Sequence, residues 1–509
     1  MSMGALAALF LNRAVWAADS NPQERRVVVI VWDGMRPDFV RPETSPVLWK
    51  LAKDGVVFRN HHSVFTSATN VNGVAIATGL YPNRTGIFAN FVYRPDIDKT
   101  KPIDVAVPAS VRRGDEVTGG KYIPVPTLAE LVRAAGKRVA IAGAKDIALL
   151  QDRHLEDLRS GTNLFSGNTV PSEALAEIVD GLGKFPDPSL SHTKADLWTT
   201  NAFVDFLWKN DVPAFSLLWL SEPDWSEHNF GPGSKEALAG VKSSDENLGR
   251  VLAALNQHHA RDSTDVLIVS DHGFSTIERS VDLRKTLQDA GFDAATAFDG
   301  EPKRGQIVLS GNGGTVLFYV SGHDADVTRR LVGFLQQSDF AGVLFTKEKL
   351  EGTFTLEQGK IDSARAPDVA MVFRWNDSKN QFGVPGMIDA DWNRRAGQGT
   401  HATLSRFDMH NTLIAVGPDF HRGTNDLPTG NVDLAPTILQ ILDIKPPQQL
   451  DGRVLIEAIA TTGKQKPEIK TIEATREFPS GTWRQHLQTS QIGSTIYFDE
   501  GNGGFSAKK

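Results

Sequence analysis

The sequence predicts an α/β fold with a mostly parallel central sheet, and three apolar runs carry that reading. Val27–Trp32, Ala214–Leu220 and Val266–Ser270 are nearly continuous apolar segments rich in β-branched, aliphatic and aromatic residues, the pattern of strands buried on both faces. Helix-like segments separate them, which is the rhythm of β-α-β crossovers. Each run also ends in ligand-type side chains: Asp33, then Asp224 and His228, then Asp271 and His272. Ligands of open α/β sheets bind beyond the carboxyl ends of the strands, so the chemistry is expected there.

Taken in order, Val27–Trp32 leads to Asp33-Gly34, Pro46–Ala52 reads as a helix, and Val56–Phe58 reads as a second strand. The stretch Ser63–Gly73 then runs through Ser67-Ala68-Thr69-Asn70 into small and apolar residues that open a helix. Thr69 stands where an N-cap would stand, beside unpaired backbone N–H groups at a positive helix end. That position serves equally an ordinary cap and an oxygen that attacks phosphorus. Residues 90–122 lack a steady period and read as a long excursion over the site, of the kind that often carries function. Thr127 caps the next helix, Lys137–Gly143 is a strand, and helices follow around Ser172–Gly183 and Ala195–Lys209. Lys235–Asn256 is a further helix, between the second and third apolar runs.

Residues 285–395 change character. Gln306–Leu309, Thr315–Val320 and Val369–Phe373 read as strands and Val327–Gln336 as a helix, so this stretch is expected to be a smaller α+β insertion that caps the site. Gly311-Asn312-Gly313-Gly314 lacks the dinucleotide-binding spacing and reads as a hairpin turn. The chain returns through Gly397–His401 and the strand at Leu413–Val416, and Asp433 is expected to cap a helix. Residues 464–509 are polar and weakly periodic, with Trp483 and Tyr497 as docking points.

The chain has 509 residues, room for one large domain with insertions or for two. Its net charge of −7 argues against a nucleic-acid polymer as partner, because such surfaces carry an excess of basic residues. There is no cysteine, so disulfides, thiolate zinc sites and cysteine nucleophiles are excluded and any metal ligands must be His, Asp and Glu. Residues 1–18 are apolar with small residues near Ala17 and read as a signal peptide, which implies a periplasmic or secreted protein. No later run approaches the ~20 apolar residues of a membrane span.

Asp33, Asp224, His228, Asp271, His272 and His401 lie at or just beyond a core strand, or in the glycine-rich turn before one. Singly, each has an unremarkable reading as a turn cap or a loop histidine. Jointly they suit Zn²⁺ where thiolates are absent, and six are enough for two divalent ions that share a bridging oxygen.

The motifs Val31–Arg36, Thr69-Asn70-Val71-Asn72 with Thr78–Pro82, Glu222-Pro223-Asp224 with His228, Ser270–Gly273, Gly399-Thr400-His401 and Gly417–Phe420 occur in an order that resembles the alkaline phosphatase superfamily. Within it they are most similar to the type I phosphodiesterase/nucleotide pyrophosphatase branch, over residues 27–455. The resemblance implies an alkaline-phosphatase-like three-layer sandwich, with residues 24–463 as the phosphohydrolase domain and 464–509 as a C-terminal extension. It implies two zinc sites, Asp33, Asp271 and His272 together with Thr69 at one, and Asp224, His228 and His401 at the other. Thr69 is implied as nucleophile through a phosphothreonine intermediate, and Asn72 as a donor to a non-bridging phosphate oxygen; the register disfavours Thr66 and Ser67.

Nucleotide-cleaving members commonly place Phe after the nucleophile, where this chain has Asn70, and His401 is followed by Ala402-Thr403. The expected substrate is therefore a small phosphorylated molecule, hydrolysed at phosphodiester or pyrophosphate bonds, with nucleotide preference left open. The alternatives are a phosphomonoesterase or a phosphonoacetate-type hydrolase of the same superfamily, and, from a different class, a secreted binding protein without turnover. The sulfatase branch is disfavoured because neither Thr69 nor Ser67 lies in its C/S-x-P-x-R setting.

Overall fold

Residue types that favour strands in continuous runs build one large sheet. The computed structural model describes residues 25–189, 191–460 and 465–508, so the expected leader at 1–18 lies outside the described residues. Nine strands form the central sheet. In chain order they are β1 (Arg26–Trp32), β2 (Val56–Phe58), β3 (Val139–Gly143), β4 (Gly161–Phe165), β5 (Asn168–Val170), β6 (Phe215–Leu220), β7 (Thr264–Val269), β8 (Leu413–Val416) and β9 (Gly423–Asn425). Their order across the sheet is β9-β2-β8-β7-β1-β6-β3-β4-β5. The pairings β1–β7, β1–β6, β3–β6, β3–β4 and β2–β9 are parallel, and β7–β8, β2–β8 and β4–β5 are antiparallel.

Both faces of this sheet are covered, which is why its strands read as unbroken apolar runs rather than as alternation. Val27, Val29 and Val31 point into one core with Val74 and Ile76 of the helix Thr69–Thr78 and Leu434 and Ile438 of the helix Leu434–Ile441. Val28, Ile30 and Trp32 point into the other, against Leu48, Trp198, Val241, Leu248 and Val251 from helices on the far side. The result is a helix–sheet–helix sandwich. The helix at Leu128–Ala134 carries the expected cap, with the Thr127 hydroxyl accepting from Glu130 N–H while Glu130 accepts from Thr127 N–H.

Between β7 and β8 a six-stranded sheet with a separate core holds Ile307–Gly311, Thr315–Val320, Ala341–Thr346 and Val369–Phe373. The glycine-rich turn is the hairpin expected: Ile307–Gly311 pairs antiparallel with Thr315–Val320, and Gly313 takes φ +77°. Residues 90–122 contain a two-stranded ribbon, Phe91–Val92 with Ile103–Asp104, and a helix at Pro108–Thr118 that periodicity had not revealed.

The weakly periodic C-terminus is also more regular than its sequence. It forms an antiparallel sheet of β10 (Glu468–Phe478), β11 (Gly481–Ile492) and β12 (Thr495–Ala507). Trp483 and Tyr497 do dock it: Trp483 joins the insertion core and donates to Gly352 C=O, and the Tyr497 hydroxyl donates to Asp433 Oδ2. Asp433 therefore does not cap its helix with its side chain. Its carboxylate instead accepts from Gly430 N–H, Arg453 N–H and Tyr497.

At the amino end of β7, Asp265 accepts the Asp419 N–H at 3.1 Å, and burial together with the Asp419 carboxylate pushes Asp265 up to about 8. The fold holds this proton and the unfolded chain does not, so stability is expected to fall as pH rises from about 4 towards about 8. Asp265→Asn flattens that slope, read as denaturant midpoint against pH; an unchanged slope would remove Asp265 from the account.

Candidate metal centre

The carboxyl ends of β1, β6 and β7 deliver the ligand-type residues to one place. Asp33 follows β1, Asp271 and His272 follow β7, and Asp224 and His228 sit one turn apart on the helix Asp224–Phe230 after β6. His401 arrives on the segment that follows Gly399–Thr400. All six, and Thr69, are buried.

The three imidazoles are oriented by one device. His228 Nδ1 lies 2.9 Å from Gly399 C=O, His272 Nδ1 2.9 Å from Gly273 C=O, and His401 Nδ1 2.8 Å from Ser67 C=O. Each Nδ1–H donates to a carbonyl, so each Nε2 keeps its lone pair for the site. Around them, His272 Nε2 lies 3.5 Å from Asp33 Oδ1, 3.3 Å from Asp271 Oδ2 and 3.2 Å from Thr69 Oγ1. His228 Nε2 and His401 Nε2 lie 3.3 Å and 3.6 Å from Asp224 Oδ1. Burial, with the neighbouring His272 and His228, holds His401 well below the usual imidazole range, and burial also lowers His228, so both stay neutral as ligands must.

The carboxylates do not satisfy one another. Asp33 Oδ1, Asp224 Oδ1 and Asp271 Oδ2 are buried without a hydrogen bond. Donor atoms of Asp33, Asp224 and His272 lie within 4.8 Å, and so do those of Asp224, His228 and His401. Like charges at that spacing repel by about 3–4 kcal/mol at an effective dielectric near 20. Burial and the neighbouring Asp271 accordingly drive Asp33 well up, and burial raises Asp271 to about 7. Lys145 is the cation present, with Nζ 2.8 Å from Asp33 Oδ2 and 3.0 Å from Asp224 Oδ2. Against the upward push of burial, Lys145 and then His228 hold Asp224 well down. One ammonium pairs with two of the three carboxyl groups and burial drives Asp33 and Asp271 towards the protonated form, so a further cation is needed for all three to ionise; unpaired oxygens beside free imidazole lone pairs are what divalent ions require. The donor atoms thus gather in two overlapping groups that could hold metal, Asp33, Asp224 and His272 in one and Asp224, His228 and His401 in the other, with Asp271 and Thr69 beside His272.

Thr69 is not the cap its sequence position suggested. Ala68 occupies the N-cap, Thr69 is the first residue of the helix, and the helix has no side-chain cap. The hydroxyl is left to face His272. The neighbouring hydroxyls are engaged elsewhere, Thr66 Oγ1 donating to Phe88 C=O and Ser67 Oγ to Thr403 C=O.

Asn72 departs from its expected role. It is fully buried, its Oδ1 accepts from Val64 N–H and Asn431 Nδ2, and its Nδ2 donates to Val64, Thr66 and Ala68 carbonyls. Its Nδ2 is used entirely by carbonyls of the Ser63–Ala68 segment, so no donor remains for a phosphate oxygen. Asn90 is better placed. It lines a 510 Å³ cavity with Thr69, Asp224, His228 and His401, its Oδ1 accepts Asn70 N–H, and its Nδ2 has no partner among the described residues. Lys145 and Arg394 line the same cavity. The sequence carried no motif for these three, since each is a single polar residue in a loop. A larger cavity of 830 Å³, beside Leu439, Gln440 and Thr495, contains none of the ligand-type residues.

The family model for type I phosphodiesterase / nucleotide pyrophosphatase matches residues 27–378. Among curated relatives, the bis(5'-adenosyl)-triphosphatase enpp4 of Xenopus laevis is 23% identical over 437 residues, covering 84% of this chain and 79% of the relative. Ectonucleotide pyrophosphatase/phosphodiesterase family member 7 of Rattus norvegicus is 21% identical over 435 residues, 83% of this chain and 84% of that one. Of the solved structures, an inactive variant of murine ectonucleotide pyrophosphatase/phosphodiesterase 5 in complex with AMP aligns with TM-score 0.59 and 16% identity, over 84% of this chain and 97% of that one. The wild-type alkaline phosphatase PafA aligns with TM-score 0.64 and 16% identity, over 86% and 99%. These structural matches show an alkaline-phosphatase-like fold.

Proposed function

Since the chain belongs to the type I phosphodiesterase / nucleotide pyrophosphatase family, and is thereby a phosphoric ester hydrolase, we propose that it cleaves phosphodiester or pyrophosphate bonds of a small substrate by in-line attack of Thr69. One observation carries this reading. Three unpaired carboxylate oxygens and three imidazole lone pairs surround a hydroxyl that does nothing else for the fold.

Two divalent ions, zinc first on this donor set, would supply Lewis-acid stabilisation of the phosphoryl oxygens and lower the pKa of a coordinated hydroxyl or water. The Thr69 hydroxyl gives up its proton to solvent and Oγ forms the new P–O bond as the ester or phosphoanhydride oxygen departs opposite to it and takes up a proton, leaving the phosphoryl group, with any remaining substituent, on Thr69. Water then attacks phosphorus from the vacated side and returns the threonine. Asn90 Nδ2 donates to a non-bridging oxygen, the role expected of Asn72. Lys145 and Arg394 add positive charge at the cavity wall. Arg394 makes no hydrogen bond or ion pair among the described residues, so its guanidinium is open to the substrate. Residues 24–463 form the hydrolase domain in this reading, with 285–395 as its cap-like insertion and 464–509 as an extension. The apolar leader at 1–18 fits export to the periplasm or beyond. Among the described residues no helix is long and apolar enough to cross a membrane.

Lys145 favours a second reading, a phosphomonoesterase or phosphonoacetate-type hydrolase. A monoester dianion carries one more charge than a diester, and a lysine beside the carboxylates is suited to meet it. Comparing an aryl phosphate diester, an aryl monoester and phosphonoacetate separates the two. The diester is expected to have the highest kcat/KM; a large preference for either other substrate would select the second reading. Lys145→Ala is expected to cost ~10²-fold on the monoester and clearly less on the diester, and equal losses would deny Lys145 that role.

A further inference from the structure

Outside the proposed active site, one buried cluster shows the same construction. His62 lies on the short strand His61–His62, His410 follows the turn Arg406–Met409, and Asp499 is on β12. One donor atom from each lies within 4.8 Å of the others. His62 is fully buried, and its Nδ1 lies 2.9 Å from Thr429 C=O. As in His228, His272 and His401, that bond fixes the proton on Nδ1 and leaves the Nε2 lone pair inward. His62 Nε2 has no hydrogen bond, although it lies 3.1 Å from Asp499 Oδ1. A lone pair facing a carboxylate at that distance is repulsive unless a metal ion or a proton on Nε2 joins them. Two donors bound tetrahedrally at ~2.0–2.1 Å from zinc would be ~3.3 Å apart, close to this spacing.

The other two groups are also prepared. The Asp499 carboxylate is fixed by Ser490 Oγ at 2.9 Å, the kind of outer contact that orients a ligand. The His410 ring, 4.4 Å from that of His62, has no hydrogen-bond partner among the described residues. Arg406, the nearest competing cation, is paired with Glu500 at 3.0 Å. His410 is half-buried and lines a 250 Å³ cavity with Arg36, Asp38, Pro385, Arg406 and Phe407. His61 provides the contrast, since both its ring nitrogens are taken, by Thr429 Oγ1 and Asn431 Oδ1.

We propose that His62, His410 and Asp499 form a further divalent transition-metal site, zinc by its donors, separate from the active site. Its role is structural. It ties β12 of the C-terminal sheet to the strand from which the segment Ser63–Ala68 runs to Thr69.

The test is the zinc content per full-length chain after equilibration with excess zinc and removal of unbound ion. His410→Ala and Asp499→Asn are each expected to hold one ion fewer than the wild type while still hydrolysing aryl phosphate. The comparison is a difference, so it stands whether or not the two-ion active site is correct, and Thr69→Ala serves as the variant that should lose none. Unchanged content in both variants would overturn the proposal and leave a His62–Asp499 ion pair only. If either variant fails to fold, zinc-edge anomalous maps of wild-type crystals decide. A peak at bonding distance from His62 Nε2 supports the site, and an empty position there overturns it.

Discussion

Thr69→Ala is expected to lower kcat/KM by on the order of 10⁴-fold or more on every phosphate ester the protein cleaves, with the active-site metal content unchanged. The size of the effect follows from the lack of a substitute. Thr66 and Ser67 both donate to backbone carbonyls, and Thr69 alone of the three faces an imidazole of the site, at 3.2 Å from His272 Nε2. The metal content should persist because the carboxylates and imidazoles do most of the holding. The variant should fold, since Thr69 does not cap its helix and alanine is a good helix former at that position. Steady-state kinetics with metal analysis on the same preparation checks both halves. Near wild-type turnover would show that water attacks directly and would leave Thr69 a bystander.

Stripping divalent ions with a chelator is expected to abolish turnover and lower the melting temperature, with zinc restoring both. Without ions, Asp33, Asp224 and Asp271 face each other with Lys145 as the cation between them. That is a buried arrangement whose charges are not matched, and ion binding to the folded state alone stabilises it by linkage. Activity assays and thermal unfolding before and after dialysis make the measurement. Activity untouched by chelation would remove the two-ion reading entirely. If activity were lost with no change in melting temperature, the ions would not supply the missing charge balance.

Much of the site was legible because its residues fall where a parallel sheet must put them. A buried strand announces itself by composition, and the residue after it lies at the ligand-binding edge, so Asp33, Asp271 and His272 could be placed from the sequence. The six proposed ligands do converge. Local position was a poorer guide to atoms. Thr69 and Asn72 both sit at the start of one helix, yet the Asn72 amide is consumed by three carbonyls, Val64 N–H and Asn431, whose partners are distant or local in ways that no motif encodes. Asn90 and Lys145 come from loops with no periodicity, and only the fold shows that they reach the cavity. The C-terminal strands escaped notice because β10 is largely exposed and its alternation of Ile472, Ala474 and Phe478 is short and interrupted by Arg476, its pairing being set by β11 instead.

The central claim, a covalent step through Thr69, is tested most directly by stereochemistry at phosphorus. With a P-chiral phosphorothioate diester cleaved in isotopically labelled water, two successive in-line displacements, first by Thr69 and then by water, give net retention of configuration. Retention is the predicted result; inversion would mean a single displacement by water and would contradict the account.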